Sequence, residues 1–155
     1  MAKVKVLFTA GHNIIGNTVE FLTHSRFAHA SIFILGGIVE AVNPAVILSA
    51  IDKYDGVEQE VLEVEIFDMD AAENEAQGLI GVEYGLLTDC LDGGLNDVLG
   101  YHSKGNGIET VNCSETVTRI LRAGGLDVLP EVSADCVTPE SLYQALLVIN
   151  EQEVA

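Results

Sequence analysis

The chain has 155 residues, with 7 lysines and arginines against 24 aspartates and glutamates, for a net charge of -17. That length suits one domain with a core of its own, and so acidic a surface repels nucleic-acid phosphates and anionic membranes, so nucleic-acid binding is excluded as an expected function. Three widely spaced cysteines, Cys90, Cys113 and Cys136, form neither a disulfide framework nor a CxxC metal site, and no apolar run reaches membrane-spanning length.

The start of the chain has two lysines and only a short apolar run, which does not read as a signal peptide. A cytoplasmic protein is therefore expected, in a cell or as a viral protein in its host. Val4 to Thr9 reads as a short buried strand that Gly11 ends, and Ile14, Val19, Phe21 and Leu22 predict a helix from a cap at Asn13 to about His24. His12 and His24 flank that helix with no assigned chemistry. His29 to Leu35 and Ile38 to Val42 are β-branched and aromatic runs joined by Gly36-Gly37, a strong hairpin signal. With those glycines as the turn, His29, Ser31, Phe33 and Leu35 share a face with Ile38, Glu40 and Val42. The same turn pairs Glu40 with Phe33 and sets His29 opposite Pro44, about 13 Å along the strand from Glu40. A glutamate inside an apolar strand is costly unless something uses it, or unless that face of the strand is wet.

Asn43 and Pro44 cap and open a predicted helix through Ile47 and Leu48 to about Ile51. Val57 to Phe67 is a strand, with Glu58, Glu60, Glu63 and Glu65 as its solvated face and no chemistry assigned to them. A capping pattern at Asp70 to Glu73 starts a helix to about Ile80. Tyr84 to Leu91 is ambiguous between helix and strand, and Asp92 to Gly107, rich in glycine, asparagine and aspartate, is a long loop containing His102. Further on, Gly124-Gly125 stops a helix, and Leu126 to Val137 is an irregular connection with Pro130 and Cys136. Thr138-Pro139-Glu140 starts the last helix, through Leu142, Ala145, Leu146 and Ile149, with Glu151 to Ala155 as a fraying tail.

The most informative stretch is Val111 to Val117. Asn112 is a good N-cap and Glu115 stands three residues on, a capping-box pattern, with Val117, Ile120 and Leu121 as an apolar stripe behind it. Cys113 then falls on the first helical turn. There the free N–H groups and the positive end of the helix dipole favour thiolate over thiol. The competing reading is a small buried apolar cysteine at a helix start. Cys90 and Cys136 have no comparable setting and are read as structural or incidental.

Ser25 to Ile34, the Gly36-Gly37-Ile38-Val39-Glu40-Ala41 that follows, and the distant Asn112-Cys113-Ser114-Glu115 together resemble the circularly permuted NlpC-type papain-like cysteine hydrolases. That branch includes the YiiX-like bacterial proteins and the lecithin retinol acyltransferases. The order His29, Glu40, Cys113 is that of the permuted branch, and the likeness covers roughly Thr9 to Leu121, with Thr138-Pro139-Glu140 also familiar from YiiX-like proteins. It implies an α+β, papain-like fold in a single domain over residues 1–155, in which an antiparallel sheet holding the His29 and Glu40 strands faces the N-terminus of the Cys113 helix.

The resemblance further implies Cys113 as nucleophile, His29 as its base and Glu40 in the place of the residue that orients the imidazole. With the register above, either the hairpin is bulged or differently registered, or Glu40 does not touch His29 and another group such as Asn43 orients the ring. Glu40 is expected to support His29 less directly than a short hydrogen bond, through a bulge, a water or a substitute. The Cys113 N–H is the implied backbone donor to an oxyanion, with Tyr84 and Asn112 as side-chain candidates. The implied activity is hydrolysis of an amide bond in a peptide, peptidoglycan stem peptide or modified protein through an acyl-enzyme. Two alternatives stand beside it: acyl transfer or thioester and ester hydrolysis on a lipid-like substrate, and a non-catalytic binding or structural module, for instance in a virus particle. No cofactor and no metal is called for, the expected partner is the peptide-like or acyl substrate, and the oligomeric state is left open.

Overall fold

The computed structural model describes residues 1–10, 26–85 and 110–154. In chain order the elements are β1 (Ala2–Thr9), β2 (His29–Ile34), β3 (Gly37–Val42), β4 (Ala45–Ser49), β5 (Gln59–Ile66), α1 (Met69–Leu79), β6 (Glu83–Tyr84), β7 (Thr110–Val111), α2 (Cys113–Ala123), a 3-10 turn (Ala134–Cys136) and α3 (Pro139–Val154). The strands form one curled sheet in the order β5-β1-β2-β3-β4-β6-β7, antiparallel except for the parallel β6–β7 pair. The fold is α+β.

Strand alternation decides where the core sits. Val4, Val6 and Phe8 of β1, Ala30, Ile32 and Ile34 of β2, and Val39 and Ala41 of β3 belong to one buried cluster. Paired residues point the same way, as in Val6↔Ile32, Phe8↔Ala30 and Ile32↔Val39, so these side chains share a single sheet face. The helices cover that face with Ala72, Ala76 and Leu79 of α1, Val117, Ile120 and Leu121 of α2, and Leu142 and Leu146 of α3. Burying one such leucine or isoleucine contributes about 1.5–3 kcal/mol, and this sets α2 against β2 and β3. The opposite face carries His29, Ser31 and Glu40.

The β2–β3 hairpin turns one residue earlier than the sequence predicts. Its pairs are Ile34↔Gly37, Phe33↔Ile38 and Ile32↔Val39, so the turn residues are Leu35 and Gly36, with φ of 57° and 75°. Two consecutive positive φ values make the turn that matches strand twist, which explains a glycine at the second position. Gly37 is needed for another reason: a Cβ there would lie 2.6 Å from the Ser49 carbonyl oxygen and 2.9 Å from Leu48 Cδ1. Gly37→Ala is therefore expected to destabilise the protein by about 1–3 kcal/mol, because the overlap is with backbone of a paired strand. Gly36→Ala meets open space and incurs only the backbone term, roughly 1 kcal/mol. Urea unfolding of the two variants tests the order, and a Gly37→Ala protein as stable as the wild type would contradict the close β3–β4 approach.

A second correction concerns Asn43 to Ile51. The chain turns at Asn43-Pro44 and returns as β4, registered from Val42↔Ala45 to Ile38↔Ser49, where a helix was predicted. The capping signal is local and worth about 1 kcal/mol, whereas the strand satisfies the whole outer edge of β3 and suits the β-branched Val46 and Ile47. Helix α1 is capped by Asp68, which accepts from Ala71 N–H at 2.9 Å, two residues before the predicted cap at Asp70. Helix α3 continues through Val154 instead of fraying from Glu151.

Residues 11–25 and 86–109 lie outside the described residues, and with them the predicted first helix, His12, His24, the Leu86–Leu91 stretch, Cys90, the glycine-rich loop and His102. Among the described residues no helix is long and apolar enough to cross a membrane.

Candidate active site

The first turn of α2 is held from every side. Asn112 is extended, with φ of -94° and ψ of 175°; its Oδ1 accepts from Glu115 N–H at 2.8 Å, and its own N–H donates to Glu115 Oε2 at 3.3 Å. This is the capping box read from the sequence. Asn112 Nδ2 donates to the Asp135 carbonyl at 3.1 Å, and the Ser114 hydroxyl donates to the Val137 carbonyl, which straps the 3-10 turn alongside the helix start. Thr116 N–H takes the Asn112 carbonyl at 3.0 Å. With Glu115 and Thr116 amides used by the cap and Ser114 N–H directed at the thiol, the Cys113 N–H is the amide of the turn left over among the described hydrogen bonds. The Asn112 side-chain oxygen is thus engaged by the cap, and its Nδ2 group by the Asp135 carbonyl. Asn112→Ala is expected to cost about 1–2 kcal/mol of stability and to slow alkylation of Cys113, because the freed turn loosens the amides that favour thiolate. Thermal unfolding and iodoacetamide kinetics check it; a variant less stable but equally reactive would separate the cap from the chemistry.

Cys113 itself is 3 % exposed, in the core cluster, at a place where the sheet opens. The assigned β2–β3 register ends at Ile32↔Val39, and the Ala30 backbone amide, beyond that end, favours the Cys113 thiolate. Ser114 N–H and the His29 ring act on the sulfur in the same sense. Burial by itself pushes the thiol up; the hydrogen bond and positive charge of His29, with the two backbone amides, outweigh it and hold the thiol below its ordinary range. His29 shows the converse. Burial pulls the imidazole down, but the bonds and charges of Cys113 and Glu40 raise it well above its ordinary value. The pair therefore favours thiolate and imidazolium.

His29 Nε2 lies 2.8 Å from Glu40 Oε2. The predicted separation of about 13 Å is thus corrected, and the reason is the turn. Closing the hairpin at Leu35-Gly36 and continuing its register places His29 opposite Val42 and Glu40 opposite Ser31, so Glu40 reaches His29 diagonally. The shift moves each pairing by two residues, which preserves the face while changing the neighbour. Since the carboxylate only accepts, Nε2 carries a hydrogen and Nδ1 is the nitrogen available to Cys113. Glu40 is fully buried, and burial alone raises its carboxyl; hydrogen bonds from His29, Lys53, Ser49 and Tyr54 reverse this and hold it down at about 2.

Asn43, the alternative orienting residue, is exposed and has no described bond to the ring. Tyr84 on β6 feels the charge of Cys113: burial first, then the thiolate, push its phenol up to about 12. Its phenol therefore stays protonated at neutral pH. Cys136 is half-buried in the 3-10 turn, and its N–H bonds to the Ser133 carbonyl at 2.9 Å. Sequence reasoning missed Ser49, Lys53 and Tyr54, which all donate to Glu40. Nothing local marks them, because they reach the carboxylate only once β4 folds back on β3. Compared with known proteins, the chain matches no family model and no curated protein.

Proposed function

We propose that this protein is a cysteine hydrolase of the permuted papain-like type that cleaves an amide bond through an acyl-enzyme, with Cys113 as nucleophile, His29 as acid and base, and Glu40 as the group that orients the imidazole. The observation that carries this reading is the grouping of Cys113, at the N-terminus of a capped helix, with a His29 whose charge favours the thiolate and whose Nε2 lies 2.8 Å from a buried, ionised Glu40. In the reaction the thiolate adds to the substrate carbonyl carbon, and the carbonyl electron pair moves onto oxygen, which the Cys113 N–H stabilises. As the oxyanion collapses, the carbon–nitrogen bond breaks and His29 gives its Nδ1 proton to the departing amine. The neutral imidazole then takes a proton from water, hydroxide equivalent adds to the thioester, and Cys113 leaves as thiolate with His29 again protonated. Glu40 holds Nε2–H throughout, so the reactive nitrogen keeps its tautomer and direction.

A substrate-independent test is acylation by an activated ester such as p-nitrophenyl acetate, read by intact-protein and peptide mass spectrometry. A single acetyl group on Cys113 is expected, absent from Cys113→Ala and retained in Cys136→Ala. Acetylation that persists in Cys113→Ala at the same rate would overturn the assignment of the nucleophile.

A further inference from the structure

Glu40 has no vacant acceptor. Oε1 accepts from the Ser49 hydroxyl and the Lys53 ammonium; Oε2 accepts from His29 Nε2 and the Tyr54 hydroxyl. An ionised carboxylate offers about four lone-pair sites, so four donors saturate it. Ser49 ends β4, and Lys53 and Tyr54 belong to the turn between β4 and β5. The bracket is tight: Lys53 Nζ is also 3.4 Å from Ser49 Oγ and 5.3 Å from the centre of the Tyr54 ring, which itself lies 6.1 Å from the His29 ring. Charges alternate along the chain, from thiolate to imidazolium to carboxylate to ammonium.

We propose that Lys53 is a positioning residue for the reaction: with Tyr54 and Ser49 it fixes the Glu40 carboxylate, and by offsetting its charge it limits how tightly His29 holds its proton. The inference rests on the hydrolase reading above and adds how that site is tuned. An uncompensated carboxylate against the imidazole favours the protonated ring, and a ring that holds its proton too firmly is a poor acid toward the leaving group. An ammonium on the other carboxylate oxygen opposes this. Among the described residues, the titratable groups facing the His29–Glu40 pair are Cys113 from α2 and Lys53 and Tyr54 from the turn, with Tyr84 of β6 beside the sulfur. Lys53 supplies the positive charge on the Glu40 side. Its side chain is 36 % exposed, so the site feels both its charge and the solvent beside it.

The test compares the wild type with Lys53→Met, Lys53→Arg and Tyr54→Phe by two readouts: the NMR titration of the His29 ring and the pH dependence of Cys113 alkylation by iodoacetamide. In Lys53→Met the His29 midpoint is expected to rise by about one pH unit, and the alkaline limb of the alkylation profile with it. Lys53→Arg restores both, and Tyr54→Phe moves them the same way by less. A Lys53→Met protein that melts lower yet keeps the wild-type His29 midpoint would make Lys53 a purely structural partner and overturn the proposal. If Lys53→Met does not fold, Tyr54→Phe decides, since an unmoved midpoint there equally rejects the bracket. The His29 titration needs no turnover: a wild type that never acylates but shows the shift rejects the hydrolase reading and keeps the coupling, whereas an acylating wild type without the shift rejects the coupling alone.

Discussion

Replacing His29 with alanine is expected to slow acylation of Cys113 at neutral pH by about 10³-fold, the largest effect of any substitution outside the proposed nucleophile. The reason lies in the balance at the thiol. Burial opposes ionisation of Cys113, and the first effect that opposes burial is the hydrogen bond from His29, followed by its charge. Removing the ring leaves a buried sulfur with two amide donors and no cation, so the thiolate population falls and the proton for the leaving amine is lost together. The pH profile carries the same argument. In the wild type the thiolate persists below the ordinary thiol range, and the imidazolium persists until pH rises through about 9. Alkylation is therefore expected to be already maximal at neutral pH in the wild type. In His29→Ala it should climb steadily with alkali, as for a simple buried thiol. Identical profiles in the two proteins would remove His29 from the mechanism.

Glu40→Gln is expected to lower activity by about 10- to 100-fold and to move the alkaline limb downward by about one to two pH units. The sign follows from the charges. Glu40 raises the imidazole, so its loss lowers it, and Lys53, left without its counter-charge, pushes the same way. The amide also offers one acceptor oxygen where the carboxylate offered two, so His29, Tyr54, Ser49 and Lys53 cannot all be satisfied. Stability provides an independent check. The Glu40 carboxyl is depressed in the fold, so its contribution is complete above the ordinary carboxylate value of 4.5 and is lost as pH falls toward about 2. The wild type should lose stability across that interval, and Glu40→Gln should lack this component. The total loss at neutral pH is about 2–3 kcal/mol, moderated because Lys53 is able to turn its ammonium to solvent. Urea unfolding at pH 7 and pH 3 measures it, and equal acid sensitivity in both proteins would show that Glu40 is not held ionised by its neighbours.

The sequence by itself determined what short-range physics determines. Asn112 and Glu115 are three residues apart on one turn, so the capping box, and with it Cys113 as the first helical residue, is readable before any tertiary contact exists. The shared face of His29, Ser31 and Glu40 was readable for a similar reason: side chains alternate with period two, and a turn misplaced by one residue shifts the pairing by two, which leaves the face unchanged. Which residue stands beside His29 was beyond that argument, because the neighbour depends on where the chain reverses, and Leu35 takes a positive φ that its side chain does not advertise. Asn43 to Ser49 carried a helix-start signal, and only the open edge of β3 made a strand the better partner. The bracket of Ser49, Lys53 and Tyr54 around Glu40 belongs to the tertiary structure alone, and the meeting of Cys113 with His29 across 84 positions of sequence was implied by the family resemblance and by no local pattern. Both are contacts between elements, set by helices packing on a curled sheet, and neither leaves a mark within the reach of a local pattern.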